Sequence, residues 1–217
     1  MNIQQTPTNQ MSFKSNIRFV SSEEFGKHCL GNYFYCGGRG SELKESMKKG
    51  ADIWTSSVRS CTAGGVVDKN GAVGFHIYDI KENLNKVKDG FLNILKTAVD
   101  KPKSAIVLGS KDLKGSEESV PMFNEIEKNV KELVRPSVFK THKNITAESD
   151  LGYEKSTDSW YIVTSHRKNP MLMTNPIEIK TAEDLKNGFE KINIAPQDKL
   201  FVRDKEVPKS DYPEFFE

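Results

Sequence analysis

Three short β-prone runs follow one another near the centre of the chain, and they constrain its fold more than any other segment. The runs are Ile53 to Arg59, Thr62 to Asp68 and Val73 to Asp79. Lys69-Asn70-Gly71 joins the last two, and Asn-Gly between β-prone runs is typical of a tight hairpin. We therefore expect two antiparallel strands, with Cys61 at the head of one strand and His76 in the other.

Helices predicted from apolar residues at 3–4 spacing would cover this sheet. Asp79, with Glu82 three residues later, predicts a capped helix that continues to about Ala98. The other predicted elements are a helix after Ser21, a short helix from Ser41 to Lys49 closed by Gly50, a strand at Ala105–Leu108, a helix starting at Pro121 and stopping before Pro136, strands at Val138–His142 and Trp160–Thr164, a helix from Thr181 to about Lys191, and an edge strand at Leu200–Val202.

This mixture of strands and helices predicts an α+β fold, with a mostly antiparallel central sheet or a β-sandwich flanked by helices. Residues 1–15 are polar and predict a disordered N-terminal arm, and residues 16–217 predict a single domain. The polar segment from Lys143 to Asp158 predicts a loop. The 217 residues are compatible with one large domain.

Composition excludes several classes of function. The 32 Lys and Arg residues nearly balance the 30 Asp and Glu residues, so the chain lacks the basic excess expected of a protein that binds nucleic-acid phosphates. No run of 18 apolar residues predicts a membrane span, and no apolar segment near the N-terminus predicts a cleavable signal peptide. Neither a CxxC or HExxH spacing nor a phosphate-binding glycine loop is present, so we expect no metal and no cofactor.

The chain has three cysteines, which we expect to be reduced thiols, and they are the candidate nucleophiles. Cys29 lies in a predicted helix between apolar residues, which indicates packing. Cys36 precedes Gly37-Gly38 and has no partner of predictable geometry. Cys61 stands before the small residues Thr62-Ala63-Gly64-Gly65, which would let a substrate approach the thiol. His76 lies closer to the turn than Cys61, so we expect a β-bulge to bring the two side chains level.

The segment Ser60 to Asp79, SCTAGGVVDKNGAVGFHIYD, resembles the catalytic hairpin of the bacterial glutamine deamidases that share the cytotoxic-necrotizing-factor catalytic fold. That group includes the chemoreceptor deamidase CheD and small lethal-factor toxins. Their pattern is a Cys at a strand start, a glycine-containing hairpin and a His in the returning strand. Cys61, Gly71 and His76 match it, while Ser60 stands where these families mostly have Gly.

The resemblance implies a CheD-like or necrotizing-factor-like fold and a cysteine-dependent protein glutamine deamidase. Cys61 would be the nucleophile, His76 the acid and base, and Thr55, six residues before the Cys, would orient the His. The substrate would be a protein with an exposed glutamine, and the enzyme a monomer. A toxin or effector would be secreted by a bacterium and act in the cytoplasm of a host.

Four alternatives remain open from the sequence. A CheD-like enzyme would deamidate chemoreceptors in the bacterial cytoplasm, and an amine that intercepts the acyl intermediate would make the enzyme a transglutaminase. A papain-like protease or acyltransferase would use Cys36 or Cys61 with His142 or His166. A non-catalytic interaction module would bind a protein through its polar loops, Lys143 to Asp158 and Arg167 to Pro176.

Overall fold

The chain folds into two β-sheets that pack on each other and are flanked by helices. The structure is a computed structural model, and it describes residues 15–110, 118–134, 138–143, 148–164 and 178–216, with the backbone alone at 110 and 138–143. The predicted arm at 1–15 lies outside this part of the chain except for Ser15. That residue is buried, and its backbone N–H donates to the carboxylate of Asp198.

The first sheet has seven described strands. In spatial order they are β13 (Lys205–Glu206), β12 (Lys199–Val202), β1 (Asn16–Phe19), β10 (Ser159–Thr164), β9 (Ser149–Glu154), β4 (Ile53–Val58) and β2 (Asn32–Tyr33). β1 is parallel to both of its neighbours and β2 is parallel to β4, whereas the other pairs are antiparallel.

The second sheet has six described strands and contains the predicted hairpin. In spatial order they are β11 (Phe189–Asn193), β8 (Val138–Lys143), β7 (Ser104–Ser110), β5 (Thr62–Asp68), β6 (Gly71–Ile77) and β3 (Met47–Gly50). The β7–β8 pair is parallel and the other pairs are antiparallel.

The helices lie between these strands in sequence. They are α1 (Ser22–His28), α2 (Lys81–Lys86), α3 (Leu92–Ala98), α4 (Ser119–Leu133) and α5 (Ala182–Gly188). A π-helical segment, Val87–Phe91, connects α2 to α3, and two short 3₁₀ turns are formed by Leu43–Ser46 and Pro213–Phe215. No helix in the described ranges is both long and apolar enough to cross a membrane.

Three clusters of buried apolar side chains hold these layers together. The largest joins the two sheets, where Ile53 and Trp160 of the first sheet pack in one cluster with Ile106 of the second. A second cluster packs the other face of the second sheet against α2 to α4 and includes Phe75 and Phe123. A third, smaller cluster packs α1 on the outer face of the first sheet. The predicted α+β class is therefore confirmed, with the described strands in two sheets rather than in one central sheet.

Several predicted elements were wrong because contacts distant in sequence override local preference. The predicted helix from Ser41 to Lys49 is a 3₁₀ turn followed by β3, which pairs with β6. The predicted loop from Lys143 to Asp158 contains β9, a central strand between β4 and β10. The helix predicted from Thr181 to Lys191 ends at Gly188, where β11 begins, and β12 is an inner strand because β13 covers it.

Candidate active site

The β5–β6 hairpin carries the predicted nucleophile and its predicted base. Ala63 lies opposite His76, and the pairing continues without a shift to Asp68 opposite Gly71. Cys61 precedes β5 and is two residues from Ala63, so it is placed diagonally to His76. Diagonal neighbours on an antiparallel pair are about 7–8 Å apart, within reach of long side chains. The bulge expected from the sequence is therefore absent, because the diagonal position already lets the two side chains meet.

Thr55 and His76 are in direct polar contact. The Thr55 hydroxyl oxygen is 2.8 Å from Nδ1 of His76, and it is also 2.8 Å from the carbonyl oxygen of Phe34. A carbonyl can only accept, so the single hydroxyl proton goes to Phe34 and Nδ1–H of His76 donates to Thr55. This assigns the neutral ring a proton on Nδ1 and leaves the lone pair on Nε2. The three predicted site residues are brought together, and each is at most 7% exposed.

A second cysteine, Cys36, lies against Cys61. The backbone N–H of Gly37 donates to the carbonyl of His76, which holds the Cys36 segment beside β6. A Cβ at Gly37 would overlap the side chain of Ser46, so this approach requires glycine. The thiol of Cys36 donates to the sulfur of Cys61 at 3.4 Å. A ring nitrogen of His76 and the two sulfurs all lie within 4.8 Å of one another.

This arrangement moves the pKa values of the Cys61 and Cys36 thiols in opposite directions. The hydrogen bond from Cys36, together with the neighbouring His76 ring, lowers the pKa of Cys61 in spite of its burial and the nearby charge of Asp79. The same hydrogen bond and burial raise the pKa of Cys36, which holds the shared proton. Burial also raises the pKa of Cys29, which lies elsewhere against the first sheet. Cys61 is thus the cysteine that the surroundings favour as a thiolate, the form that acts as a nucleophile.

Asp79 is a buried carboxylate beside the two thiols. The hydroxyls of Ser60 and Ser119 donate to its two oxygens, and the distance from Ser60 is 2.9 Å. The predicted capping of α2 by Asp79 is wrong, because the residue at the N-cap is Ile80 and no side chain caps it. Ser60, which departs from the glycine of the deamidase pattern, therefore positions Asp79 next to the site.

His28 lies away from this site. His28 stacks on Tyr161 and pairs with Glu154 on the first sheet. His142 lies in β8, whose side chains are outside the described part, and His166 and the loop Arg167 to Pro176 also lie outside it. The arrangement of Cys36, Cys61 and His76 can supply a nucleophile with a base, and it can also supply three metal ligands.

Comparisons with known proteins found no match to this chain among protein-family models, curated proteins or solved structures.

Sequence reasoning left Cys36 without a partner and gave Asp79 a different role. Cys36 is 25 residues from Cys61 and is held beside it by the Gly37–His76 backbone contact. The glycine pair after Cys36 was a local signal for close backbone approach, but it did not indicate the partner. Asp79 also matched a helix-cap pattern, which masked its role beside the thiols.

Proposed function

We propose that this chain is a cysteine-dependent protein glutamine deamidase, which converts a glutamine side chain to glutamate and releases ammonia. The observation that carries the proposal is the chain of contacts from Phe34 through Thr55 to His76 and Cys61. It provides a nucleophile, an adjacent base and a third group that orients the base, which is the recurrent arrangement of nucleophilic catalysis. The match of the hairpin segment to the deamidase pattern gives the reaction type.

In the first half of the reaction, the Cys61 thiolate attacks the side-chain amide carbon of glutamine. The carbon–sulfur bond forms as the carbonyl becomes an oxyanion, for which the backbone N–H of Cys61 is the proposed donor. The carbon–nitrogen bond then breaks, and the imidazolium of His76 gives its Nε2 proton to the leaving amine. Ammonia departs and the glutamine side chain remains on Cys61 as a thioester.

In the second half, water hydrolyses this thioester. Nε2 of neutral His76 takes a proton from the attacking water, while Thr55 holds the ring through Nδ1–H. The new carbon–oxygen bond forms, and the carbon–sulfur bond breaks to release glutamate and the thiolate. The imidazolium is restored, so the site is ready for another turnover.

The burial of the site supports a side-chain amide as the substrate. Cys61 is only 7% exposed, so a reacting group must be presented on a slender, flexible side chain. The main chain of a folded protein is too broad to reach a thiol that is buried to this extent. Two exposed tyrosines, Tyr35 at 71% and Tyr78 at 40%, lie one residue from Cys36 and two from His76, and such aromatic rings are frequent contacts in protein interfaces.

The cellular setting is part of the proposal. All three cysteines are free thiols in the structure, and free thiols persist in reducing compartments. We propose secretion by a bacterium and action in a host cytoplasm, with a target protein of that host.

The test is isotopic labelling of lysates. Full-length protein is incubated with eukaryotic and with bacterial lysate in H₂¹⁸O, and peptides are compared by mass spectrometry with and without the enzyme. Deamidation in this water leaves one ¹⁸O on the new carboxylate and raises the peptide mass by about three units at one glutamine. The gain should occur with wild type and Cys29→Ala, and disappear with Cys61→Ser and His76→Ala.

The two lysates and an added primary amine separate the alternatives. Labelling in the eukaryotic lysate supports the host setting, whereas labelling confined to the bacterial lysate contradicts it and indicates a CheD-like enzyme. Cross-linking of the amine to glutamine without ¹⁸O gain indicates a transglutaminase. If folded wild type and folded Cys61→Ser leave identical peptide patterns in both lysates, the deamidase proposal is wrong.

A further inference from the structure

The three groups of the candidate active site also match the ligands of a zinc ion. The sulfurs of Cys36 and Cys61 and a ring nitrogen of His76 lie within 4.8 Å of one another. Two thiolates and an imidazole are a ligand set found in zinc sites, in which a fourth position stays open to water or substrate. Soft sulfur ligands disfavour Mg²⁺ and Ca²⁺, which take oxygen ligands.

Nε2 of His76 is buried and faces the two thiols, so a ligand held by the sulfurs would also reach it. His76 is 1% exposed, and within the described residues its Nε2 makes no hydrogen bond of normal geometry. Nδ1–H donates to Thr55, so Nε2 carries the lone pair that a metal needs. Buried polar groups are rarely left without a partner, and a bound cation would satisfy this one.

The surroundings of His76 are those of a metal-binding histidine. Such a histidine usually donates its second ring N–H to an oxygen, which fixes the ring plane and the tautomer. Thr55 accepts this proton and is itself held by the carbonyl of Phe34. The negative charge of Asp79, kept in place by Ser60 and Ser119, lies close enough to influence both thiols and also favours a cation between them.

We propose that Cys36, Cys61 and His76 bind one Zn²⁺ ion through Sγ, Sγ and Nε2. Zinc–sulfur bonds of about 2.3 Å in a tetrahedral site require the sulfurs to be about 3.8 Å apart. The sulfurs are 3.4 Å apart, so the thiols need to separate by only a few tenths of an ångström. Binding displaces the proton that Cys36 shares with Cys61, and the two thiolates then neutralise the ion.

This inference does not depend on the proposed deamidase activity, because it concerns binding alone. A bound ion would occupy both the nucleophile and the base. Zinc would therefore block any reaction that uses Cys61 and His76, and a chelator would restore it.

The test measures metal binding directly on the full chain under reducing conditions. Zn²⁺ affinity is measured by competition with a chromophoric chelator, and Co²⁺ is used as a spectroscopic substitute whose thiolate charge-transfer absorption reports sulfur ligands. Wild type and Cys29→Ala should bind one equivalent with the same affinity. Cys36→Ser and Cys61→Ser should each lose more than about tenfold in affinity, and Thr55→Val should lose about 10–100-fold.

The proposal is overturned if wild type binds no Zn²⁺, or if folded Cys36→Ser and Cys61→Ser bind as wild type does. If the serine variants fail to fold, alkylation of wild type decides the question. Equimolar Zn²⁺ should then protect Cys36 and Cys61 from iodoacetamide, and the protection should vanish with chelator. Equal alkylation with and without Zn²⁺ would contradict the site.

Discussion

At the scale of single residues, the hydroxyl of Thr55 controls which nitrogen of His76 is available. It donates to the carbonyl of Phe34 and accepts from Nδ1–H, so Nε2 is left for the thiols. In water a neutral imidazole ring exchanges between its two tautomers. The third group of a catalytic set fixes one tautomer and one ring orientation. In the proposed reaction Thr55 is therefore a positioning residue rather than a catalytic one.

Replacing Thr55 by valine should lower turnover without blocking substrate binding. Valine removes the hydroxyl at nearly constant volume, so the neutral ring loses the bond that holds the proton on Nδ1. General acid–base catalysis contributes about 10²–10⁴-fold, and we expect the loss in kcat to be about 10–100-fold with KM little changed. Nitrogen NMR of labelled His76 should show the Nδ1–H tautomer in wild type and a tautomer mixture in Thr55→Val.

Thr55→Ser is the matched control because it retains the hydroxyl. It should restore both the tautomer and most of the turnover. A serine variant as impaired as the valine variant would show that the methyl group, and hence packing, is what matters at this position.

At the scale of elements, the hairpin of β5 and β6 places the site, and Gly71 is the position where its backbone is most restricted. Its φ is +145°, and a Cβ there would overlap the carbonyl of Gly50 at the end of β3. Gly71 therefore allows β3 to pair with the hairpin.

Alanine at Gly71 should destabilise the protein, whereas alanine at Gly90 should not. Backbone strain and overpacking each cost about 1–3 kcal/mol, so Gly71→Ala should lower the free energy of unfolding by about 2–4 kcal/mol. Gly90 lies in the π-helical segment, and a Cβ there meets nothing within 4 Å. Gly90→Ala should raise the free energy of unfolding by about 0.5–1 kcal/mol. Urea denaturation measures both changes, and equal effects of the two substitutions would contradict this account of Gly71.

The elements that could be predicted from the sequence are those whose signal is local. Asn70-Gly71 between alternating apolar runs indicated the hairpin, and Ser21 indicated the start of α1, where it accepts from the Glu24 N–H. The segment that forms β9 is polar at both ends and contains Asp150 and Gly152, residue types that are depleted in strands, so its pairing with β4 and β10 was not visible. The site followed the same rule: Cys61 and His76 share one hairpin, whereas Cys36 arrives from another element.

At the scale of the whole molecule, the two sheets and their helices bury a few charged groups. Asp198 is one of them, and burial disfavours the ionised form of its carboxyl group. It is 1% exposed, and its carboxylate accepts from the backbone N–H of Ser15. Burial raises its pKa to about 6, although Ser15 and Lys209 oppose the shift and Asp158 adds to it. The folded state thus holds the proton more tightly than the unfolded state.

This difference predicts a loss of stability as pH rises from about 4 to about 6. The folded protein binds more protons than the unfolded chain in this window, so the free energy of unfolding falls with increasing pH. Asp198→Asn keeps an acceptor for Ser15 and removes the titration. Relative to wild type, the variant should gain about 1–3 kcal/mol between pH 4 and pH 7.5. Urea denaturation of both proteins at both pH values measures this gain, and a difference independent of pH would contradict the prediction.

The layered fold also holds the Cys61 thiol inside the protein. The hairpin packs on one face against the first sheet and on the other face against α2 to α4. Two clusters of buried apolar side chains therefore hold the hairpin that carries Cys61 and His76. Mobile surface loops are not needed to assemble the described groups. The central claim is therefore that the resting protein already contains an activated Cys61.

Alkylation of the folded protein by iodoacetamide tests this claim most directly. At pH 6.5, in the presence of a chelator and a phosphine reductant, peptide mapping gives the rate for each cysteine of wild type, His76→Ala and Cys36→Ala. We predict that Cys61 of wild type reacts at least about tenfold faster than Cys36 and Cys29, and that each variant slows Cys61 because a group that favours its thiolate is lost. Equal reactivity of the three cysteines in folded wild type, or an unchanged Cys61 rate in His76→Ala, would contradict it.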